Sequence, residues 1–378
     1  MDAQATAWIP RAFETMPDPR HHNIQHKFLD IITIALFAVL CGCDDWCAVA
    51  TYGWTKQDWL ATFLELPNGI PSHDTFNEVF SRLNPDAFEA CFRAWMQSMV
   101  ELSGGKLVAI DGKSIRRSFE HGWDKSGMAH IVSVFVQANK MVFAQEKTDG
   151  KGKELSAIEK LLEVLDLTGA VVTIDAIGCQ RKIARKIRDA RAHYILQVKA
   201  NQSRLQKVIA RAINEARLEG FKGLCSDSDR QTDGDHGRIE TRTVHVIWDV
   251  EILGSIAGKW PGLKSLVAVE RIRQINDHIS TEWHYYISSL DARRTARQFA
   301  EYIRGHWSVE NNLHWQLDVS FNEDKRRIRK GHGAENFSRL CRIALNLLKK
   351  DKTVKIGIPG KRLNAGWDHD YLLRLISQ

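Results

Sequence analysis

Two stretches decide the fold: Leu107-Val108-Ala109-Ile110-Asp111-Gly112 and Ala170-Val171-Val172-Thr173-Ile174-Asp175. Each is a short apolar run, too short for a helix, that ends on an aspartate, the pattern of a strand buried in a sheet. α/β sheets place their sites at the carboxyl ends of strands, so two such aspartates on neighbouring strands converge. Gly112, directly after Asp111, lets another backbone come close. Read singly, either aspartate is equally a turn residue or a helix cap; together in one sheet they read as a metal site.

The segments around these runs set the fold class. Residues 130–137 and 141–147 alternate like strands and are joined by Ala-Asn-Lys, a hairpin. Residues 155–165 form an amphipathic helix, 179–191 a basic helix and 193–198 another strand. Strand, hairpin, helix, strand, helix, strand is an α/β order with a mixed sheet. Between 220 and about 292 the chain becomes β-rich: 238–249, 266–274 and 283–290 read as strands, after a polar tract over 226–237. Residues 295–315 return to helix, so the β-rich part is an insertion.

The front of the chain differs. Apolar positions recur at helical spacing through 28–43, 46–66, 75–83 and 88–100. Ser72 is placed as an N-cap, and Pro85 as a first helical residue. Ser103-Gly104-Gly105 breaks the pattern. The expected organisation is a helical N-terminal domain over 1–103, an α/β catalytic domain over 104–350 with the insertion at about 220–292, and a tail over 351–378.

Composition narrows the function. The 378 residues carry 53 Lys plus Arg against 46 Asp plus Glu, a net of +7. At 44% hydrophobic and 26% charged, disorder and collagen-like repeats are excluded. The longest apolar stretch, 31–43, is too short to span a membrane. With no signal-peptide pattern and an odd seven cysteines, a cytoplasmic location with reduced thiols is expected. Cys41, Cys43 and Cys47 lack zinc-site spacing and read as structural thiols.

The charge is unevenly spread. Residues 1–105 carry 6 basic and 13 acidic side chains, a net of −7; residues 106–378 carry 47 and 33, a net of +14. Residues 180–217 hold 11 basic and 2 acidic side chains, and Lys325-Arg326-Arg327-Ile328-Arg329-Lys330 forms a second patch. One patch reads as a solvated helix face; two on one basic body point to nucleic acid. The front reads as a packing or assembly element.

A third acid comes from Ile303-Arg-Gly-His306-Trp-Ser-Val-Glu310-Asn-Asn-Leu-His314-Trp-Gln-Leu-Asp318. On one continuous helix, His306, Glu310 and His314 share a face, a pattern that also suits zinc. Trp307 and Trp315 read as core anchors, with stacking on an unpaired base the alternative for Trp307. Three hard carboxylates suit Mg²⁺ or Mn²⁺ better than zinc. A P-loop reading fails, because Gly254-x-x-x-Gly258-Lys259-Trp260 has the wrong spacing.

These residues resemble bacterial insertion-sequence transposases of the DDE class, closest to the group that includes the H-repeat-associated proteins. The resemblance rests on Val108-Ala-Ile-Asp-Gly-Lys-Ser-Ile-Arg-Arg-Ser118, Thr173-Ile-Asp-Ala-Ile-Gly-Cys-Gln180, Lys199-Ala-Asn-Gln202, His236-Gly-Arg-Ile-Glu240 and the 304–319 segment. Asp18-Pro-Arg20, His26-Lys-Phe-Leu-Asp30 and Gly69-Ile-Pro-Ser-His-Asp-Thr-Phe76 carry it into the front, over nearly the whole chain.

The resemblance implies a ribonuclease H-like core with a β insertion, and Asp111, Asp175 and Glu310 as the catalytic, metal-binding triad. It implies two Mg²⁺ (or Mn²⁺) ions per site, DNA cleavage and strand transfer. The partners it implies are the element's terminal inverted repeats and target DNA, with the protein a homodimer on DNA, nucleoid-associated when bound. DNA contacts then fall to Lys113, Arg116, Arg117, Lys199, Asn201, Gln202, Arg304, His306, Asn311, Lys325 and Arg326. Where the wider superfamily has Tyr, Arg, Glu and Lys, this helix has Ile303, His306, Glu310 and Leu317. The Arg role then passes to Arg304 or His306 and the Lys role to Lys325 or Arg326, while Glu323 rivals Glu310. A nuclease without strand transfer and a catalytically silent DNA-binding relic are the alternatives.

Overall fold

Residues 30–40 are apolar apart from Asp30 and Thr33, and helix α1 (Phe28–Leu40) is accordingly buried on all sides from Asp30 onward. The structure, a computed structural model, describes residues 13–22, 24–99, 105–119, 127–148, 150, 152–235 and 238–377. The expected breaker at 103–104 and the His236-Gly237 pair lie outside them. Two compact units divide the chain: Met1–Glu101, Gly112–Lys153 and Glu310–Gln378 form one, and Leu102–Asp111 with Glu154–Val309 the other.

The first unit continues with α2 (Trp46–Thr55), α3 (His73–Arg82) and α4 (Pro85–Met99). Ser72 caps α3, its hydroxyl accepting from the Thr75 amide at 3.3 Å. Pro85 opens α4 after Asn84, whose side chain accepts from the Asp86 amide at 2.9 Å. The helix expected over 46–66 stops at Thr55. Strand β1 (Leu107–Ser114) starts in the second unit and ends in the first. There its end runs beside β2 (His130–Val136), which forms an antiparallel hairpin with β3 (Met141–Thr148). Lys140 makes that turn at φ 55°, the left-handed region.

In the second unit, α5 (Glu154–Val164) leads into β4 (Val171–Ile174), and α6 (Arg181–Asp189) into β5 (His193–Val198). β1, β4 and β5 are parallel neighbours. After α7 (Ser203–Leu218) come β6 (Ser226–Asp235), β7 (Arg238–Ile247), β8 (Ser265–Ile275) and β9 (His278–Ser288). These four are antiparallel, and β9 joins β5, so the strand order here is β1-β4-β5-β9-β8-β7-β6. Helix α8 (Ala296–His306) lays Phe299 and Ile303 on Val171, Ile195, Val244, Val267 and Tyr286. Parallel strands continued by antiparallel ones, with helices packed on them and a helical region ahead, give the expected mixed α/β fold with a ribonuclease H-like core.

β6 differs from the sequence reading, which left 226–237 as a polar tract. Its side chains bury little; backbone pairing with β7 and cross-strand bonds such as Ser228 to His245 (2.8 Å) and Thr232 to Thr241 (3.0 Å) hold it at the sheet edge.

The first unit closes with α9 (Trp315–Val319), α10 (Gly333–Lys350), α11 (Ile358–Trp367) and α12 (His369–Ile376). The expected tail over 351–378 is thus two helices. Tyr371, Leu372, Leu375 and Ile376 are buried at helical spacing, and Arg362 ties α11 to the Val39 carbonyl (2.8 Å) and Asp44 (3.0 Å). Among the described residues, no helix is long and apolar enough to cross a membrane.

Candidate active site

The parallel register pairs Ile110 with Ile174, so Asp111 and Asp175 follow in step where the β1–β4 pairing ends; Asp175 lies just past β4, while β1 runs on to Ser114. Asp175 Oδ1 accepts from the Ile177 amide at 3.1 Å and caps the turn Ala176–Gly178, so the cap role is present. Gly178 has no room for a side chain, since a Cβ there would overlap Ile174. Burial raises the Asp175 carboxyl above the ordinary range, opposed by the Ile177 amide and the Lys199 charge.

Asn201 and Gln202 follow β5, next to that turn. Asn201 Nδ2 donates to the Ala176 carbonyl at 2.6 Å, and Gln202 Nε2 to the Cys179 carbonyl at 3.0 Å. Both amides, expected on DNA, brace the Asp175 loop; Lys199 is exposed beside them.

α8 ends close to the same place. His306 Nδ1 shares a 3.0 Å hydrogen bond with Thr173 Oγ1, two residues before Asp175. Thr173, Asp175, Gln197, Tyr286, His306 and Trp307 help line a cavity of about 10 Å³, room for about one water. Gln197 Nε2 is buried there without a hydrogen-bond partner among the described residues. Arg304 is exposed and pairs with Asp233 at 3.0 Å. Trp307 and Trp315 are 54% and 51% exposed, so neither is a core anchor.

The helix expected over 295–315 is not continuous. α8 stops at His306, and Glu310–His314 form a single π-turn before α9. The single continuous helix on which His306, Glu310 and His314 were to share a face is therefore interrupted between His306 and Glu310. In the first unit, Glu310 is exposed and accepts from His314 Nδ1 at 3.1 Å. That bond, with the Lys113 charge, holds its carboxyl below the ordinary value. π-turns occur often at functional positions. Asn311, next in the turn, is exposed.

Glu323 has a different environment. It is fully buried, 3.2 Å from the equally buried Arg342, and accepts from Ser338 Oγ at 2.6 Å. Burial alone would raise its carboxyl; Arg342, Lys113 and Arg326 outweigh that and bring it to about 2. Lys113, expected on a phosphate, is itself buried and held by Asp318 (2.8 Å), Asp324 (3.2 Å) and Glu323 (3.7 Å). Arg326, likewise expected on DNA, is 8% exposed; its guanidinium lies over the Phe337 ring and donates to the Phe321 carbonyl. Arg116, Arg117 and Lys325 are exposed, Arg116 pairing with Asp324 at 3.0 Å.

Sequence reasoning missed the scaffold behind these acids. On α10, Glu335, Arg339, Arg342, Asn346 and Lys349 form a polar stripe at steps of four, three, four and three on a buried helix. Arg339 holds Glu89 at 2.8 Å, Arg342 holds Glu323, Asn346 bonds Val142 both ways (2.9 and 2.7 Å), and Lys349 reaches the π-turn. The stripe's spacing was the available signal. In the other unit, Glu240 of the His236–Glu240 motif is buried among Arg238, Arg242, Arg271 and Arg273.

Comparison with known proteins follows this geometry. Residues 102–347 match the family model described as "Transposase DDE domain", and residues 11–96 the one described as "DDE_Tnp_1-associated". The chain is 39% identical over 367 residues to "Putative transposase YncI" of Escherichia coli O157:H7, covering 96% of this chain and 92% of that protein. It is 38% identical over 371 residues to "H repeat-associated putative transposase YhhI" of Escherichia coli K12, covering 96% of both. A piggyBac transposase synaptic complex with hairpin DNA aligns at a TM-score of 0.40 and 13% identity, over 96% of this chain and 76% of that one, and carries no argument here. By its family matches and these near-full-length relatives, the chain belongs to the DDE transposase family, in the group of the H-repeat-associated proteins.

Proposed function

We propose that this protein binds the ends of an insertion sequence and catalyses metal-dependent DNA strand cleavage and strand transfer. Asp111, Asp175 and Glu310 are its catalytic carboxylates. The observation that carries the reading is the register of β1 and β4, which puts Asp111 and Asp175 in step directly after the last paired residues, in a chain of the DDE family.

The donor set fits a hard divalent cation. The carboxylates offer oxygen only, and the desolvation of Asp175 outweighs the Ile177 amide and the Lys199 charge that oppose it, an arrangement that a bound cation stabilises. Asp111, Asp175 and Glu310 would hold two Mg²⁺ or Mn²⁺ ions. When bound, such ions activate a water or a 3′-hydroxyl and stabilise the leaving 3′ oxygen of the phosphodiester.

The chain's own residues do the rest. Asn201 and Gln202 hold the Asp175 turn in place, and Thr173 with His306 fixes the end of α8 beside it. Lys199, Arg304, Asn311, Arg116, Arg117 and Lys325 are exposed and supply phosphate contacts that set register without reading sequence. Basic α6 and α7 widen that field, drawing DNA toward acids that would otherwise repel it. Holding two element ends calls for a homodimer on DNA, at work wherever the chromosome lies.

The test is a plasmid carrying the gene with its own flanking sequence, incubated with protein and Mg²⁺. Defined nicks at the element ends and joined products are expected. Cleavage that never yields a joined product would move the assignment to a nuclease, and no cleavage with either metal would leave a DNA-binding relic.

A further inference from the structure

We propose that Lys349 is a positioning residue: it fixes the π-turn that carries Glu310 and so sets where that carboxylate points. The inference rests on the reading of Glu310 as a metal ligand.

Lys349 sits half-buried in the last turn of α10. Its Nζ donates to the Asn312 carbonyl at 2.5 Å and to the Lys140 carbonyl at 2.8 Å, and lies 5.3 Å from the Phe135 ring centre. One nitrogen thus joins the π-turn to the β2–β3 turn, on two elements far apart in sequence. A π-turn departs from the regular i to i−4 ladder, and a bond from another element to one of its carbonyls ties its position to that element. Asn312 lies in the middle of Glu310–His314, two residues after Glu310, and its carbonyl finds that partner in Lys349.

The surroundings support a structural commitment rather than a surface charge. Burial, with Lys140 and Lys352 nearby, pushes the Lys349 ammonium down to about 7. Lysine is seldom buried unless its donors are used, and here they are. Other stripe residues anchor α10 elsewhere: Asn346, one turn earlier, bonds Val142 of β3 and the Met96 sulfur. The two side chains therefore separate helix anchoring from placement of Glu310.

Mn²⁺ affinity by calorimetry, the metal requirement for cleavage and the thermal midpoint should be measured on Lys349→Met, Asn346→Ala and Glu310→Gln. Lys349→Met keeps the length and removes every donor. Supporting residues of a metal site typically cost 10–100-fold in affinity when lost, so Lys349→Met should weaken Mn²⁺ binding about tenfold and raise the metal needed for half-maximal cleavage in step. Asn346→Ala should lower the thermal midpoint and leave Mn²⁺ affinity at the wild-type value. Lys349→Arg, which can donate to both carbonyls, should recover most of the affinity; it also serves if Lys349→Met fails to fold, alongside Lys349→Gln, which should fall between.

Wild-type Mn²⁺ affinity in Lys349→Met or Lys349→Gln, with Glu310→Gln impaired, would overturn the positioning role alone. Wild-type affinity in Glu310→Gln would overturn the ligand reading and this inference with it. Equal loss in Asn346→Ala and Lys349→Met would reduce Lys349 to a general packing residue.

Discussion

Replacing Glu323 by glutamine separates a buried structural acid from a catalytic one, and its effect follows from the geometry. Glu323 and Arg342 are both fully buried, with Ser338 and Lys113 completing the carboxylate's surroundings. The amide keeps the shape, removes the charge and leaves Arg342 without its counter-ion. An ordinary glutamate titrates at 4.5, and this one is held at about 2. That difference corresponds to on the order of 3 kcal/mol. It agrees with the ~3–5 kcal/mol found when one partner of a buried pair is removed. Because the folded value is depressed, the stabilisation is fully present above pH 4.5 and lost as pH falls toward 2. Urea unfolding at pH 7, 5 and 3.5 measures this directly. With a slope near 3 kcal/mol per molar, the Glu323→Gln midpoint should lie about 1 M below wild type at pH 7, and the gap should close toward pH 3. Equal midpoints at pH 7, or a gap that does not change with pH, would refute the buried-pair account. A well-folded Glu323→Gln protein that binds DNA but never cuts it would make Glu323 the third ligand in place of Glu310.

Three further outcomes follow from particular contacts. Gly178→Ala should lose ~1–3 kcal/mol in thermal unfolding, because the new methyl meets Ile174 beside the Asp175 turn; an unchanged melt would show the turn has slack. Asn201→Ala should slow cleavage about tenfold while leaving DNA affinity near wild type, since its amide holds the Ala176 carbonyl rather than DNA; a loss seen only in binding would return it to the phosphate contacts. Trp307→Ala should leave stability within ~0.5 kcal/mol, as its ring is half exposed, and weaken binding of DNA with unpaired end bases by ~1 kcal/mol or more; a large drop in melting temperature would restore the core reading.

Much of the fold was legible because burial leaves a period in the sequence. The apolar runs ending at Asp111 and Asp175, the cap at Ser72 and the proline opening α4 each lie where spacing placed them. β6 was not legible, because an edge strand can be held by backbone pairing with no apolar face to announce it. The break after His306 was hidden for another reason. Residues 303–317 keep helical spacing on paper, and one extra residue per turn, as in a π-turn, moves side chains to a new face without altering composition. Trp307 and Trp315 show the limit of residue type: large aromatics are usually inside, yet these two are half exposed. Lys113, Arg326, Asn201 and Gln202 were assigned to DNA from motif and charge, while the fold commits their donors to protein acceptors. The polar stripe on α10 could have been read, since five polar residues at heptad steps on an apolar helix imply buried partners.

The most direct measurement is cleavage of the gene's own flanking DNA in Mg²⁺ by wild type, Asp111→Asn, Asp175→Asn and Glu310→Gln, with DNA binding followed in parallel. Wild type should nick the element ends and form joined products, and chelation should stop both. Each substitution should abolish cleavage and joining while leaving binding within a few-fold of wild type. Normal cleavage by any one of the three variants would contradict the carboxylate assignment.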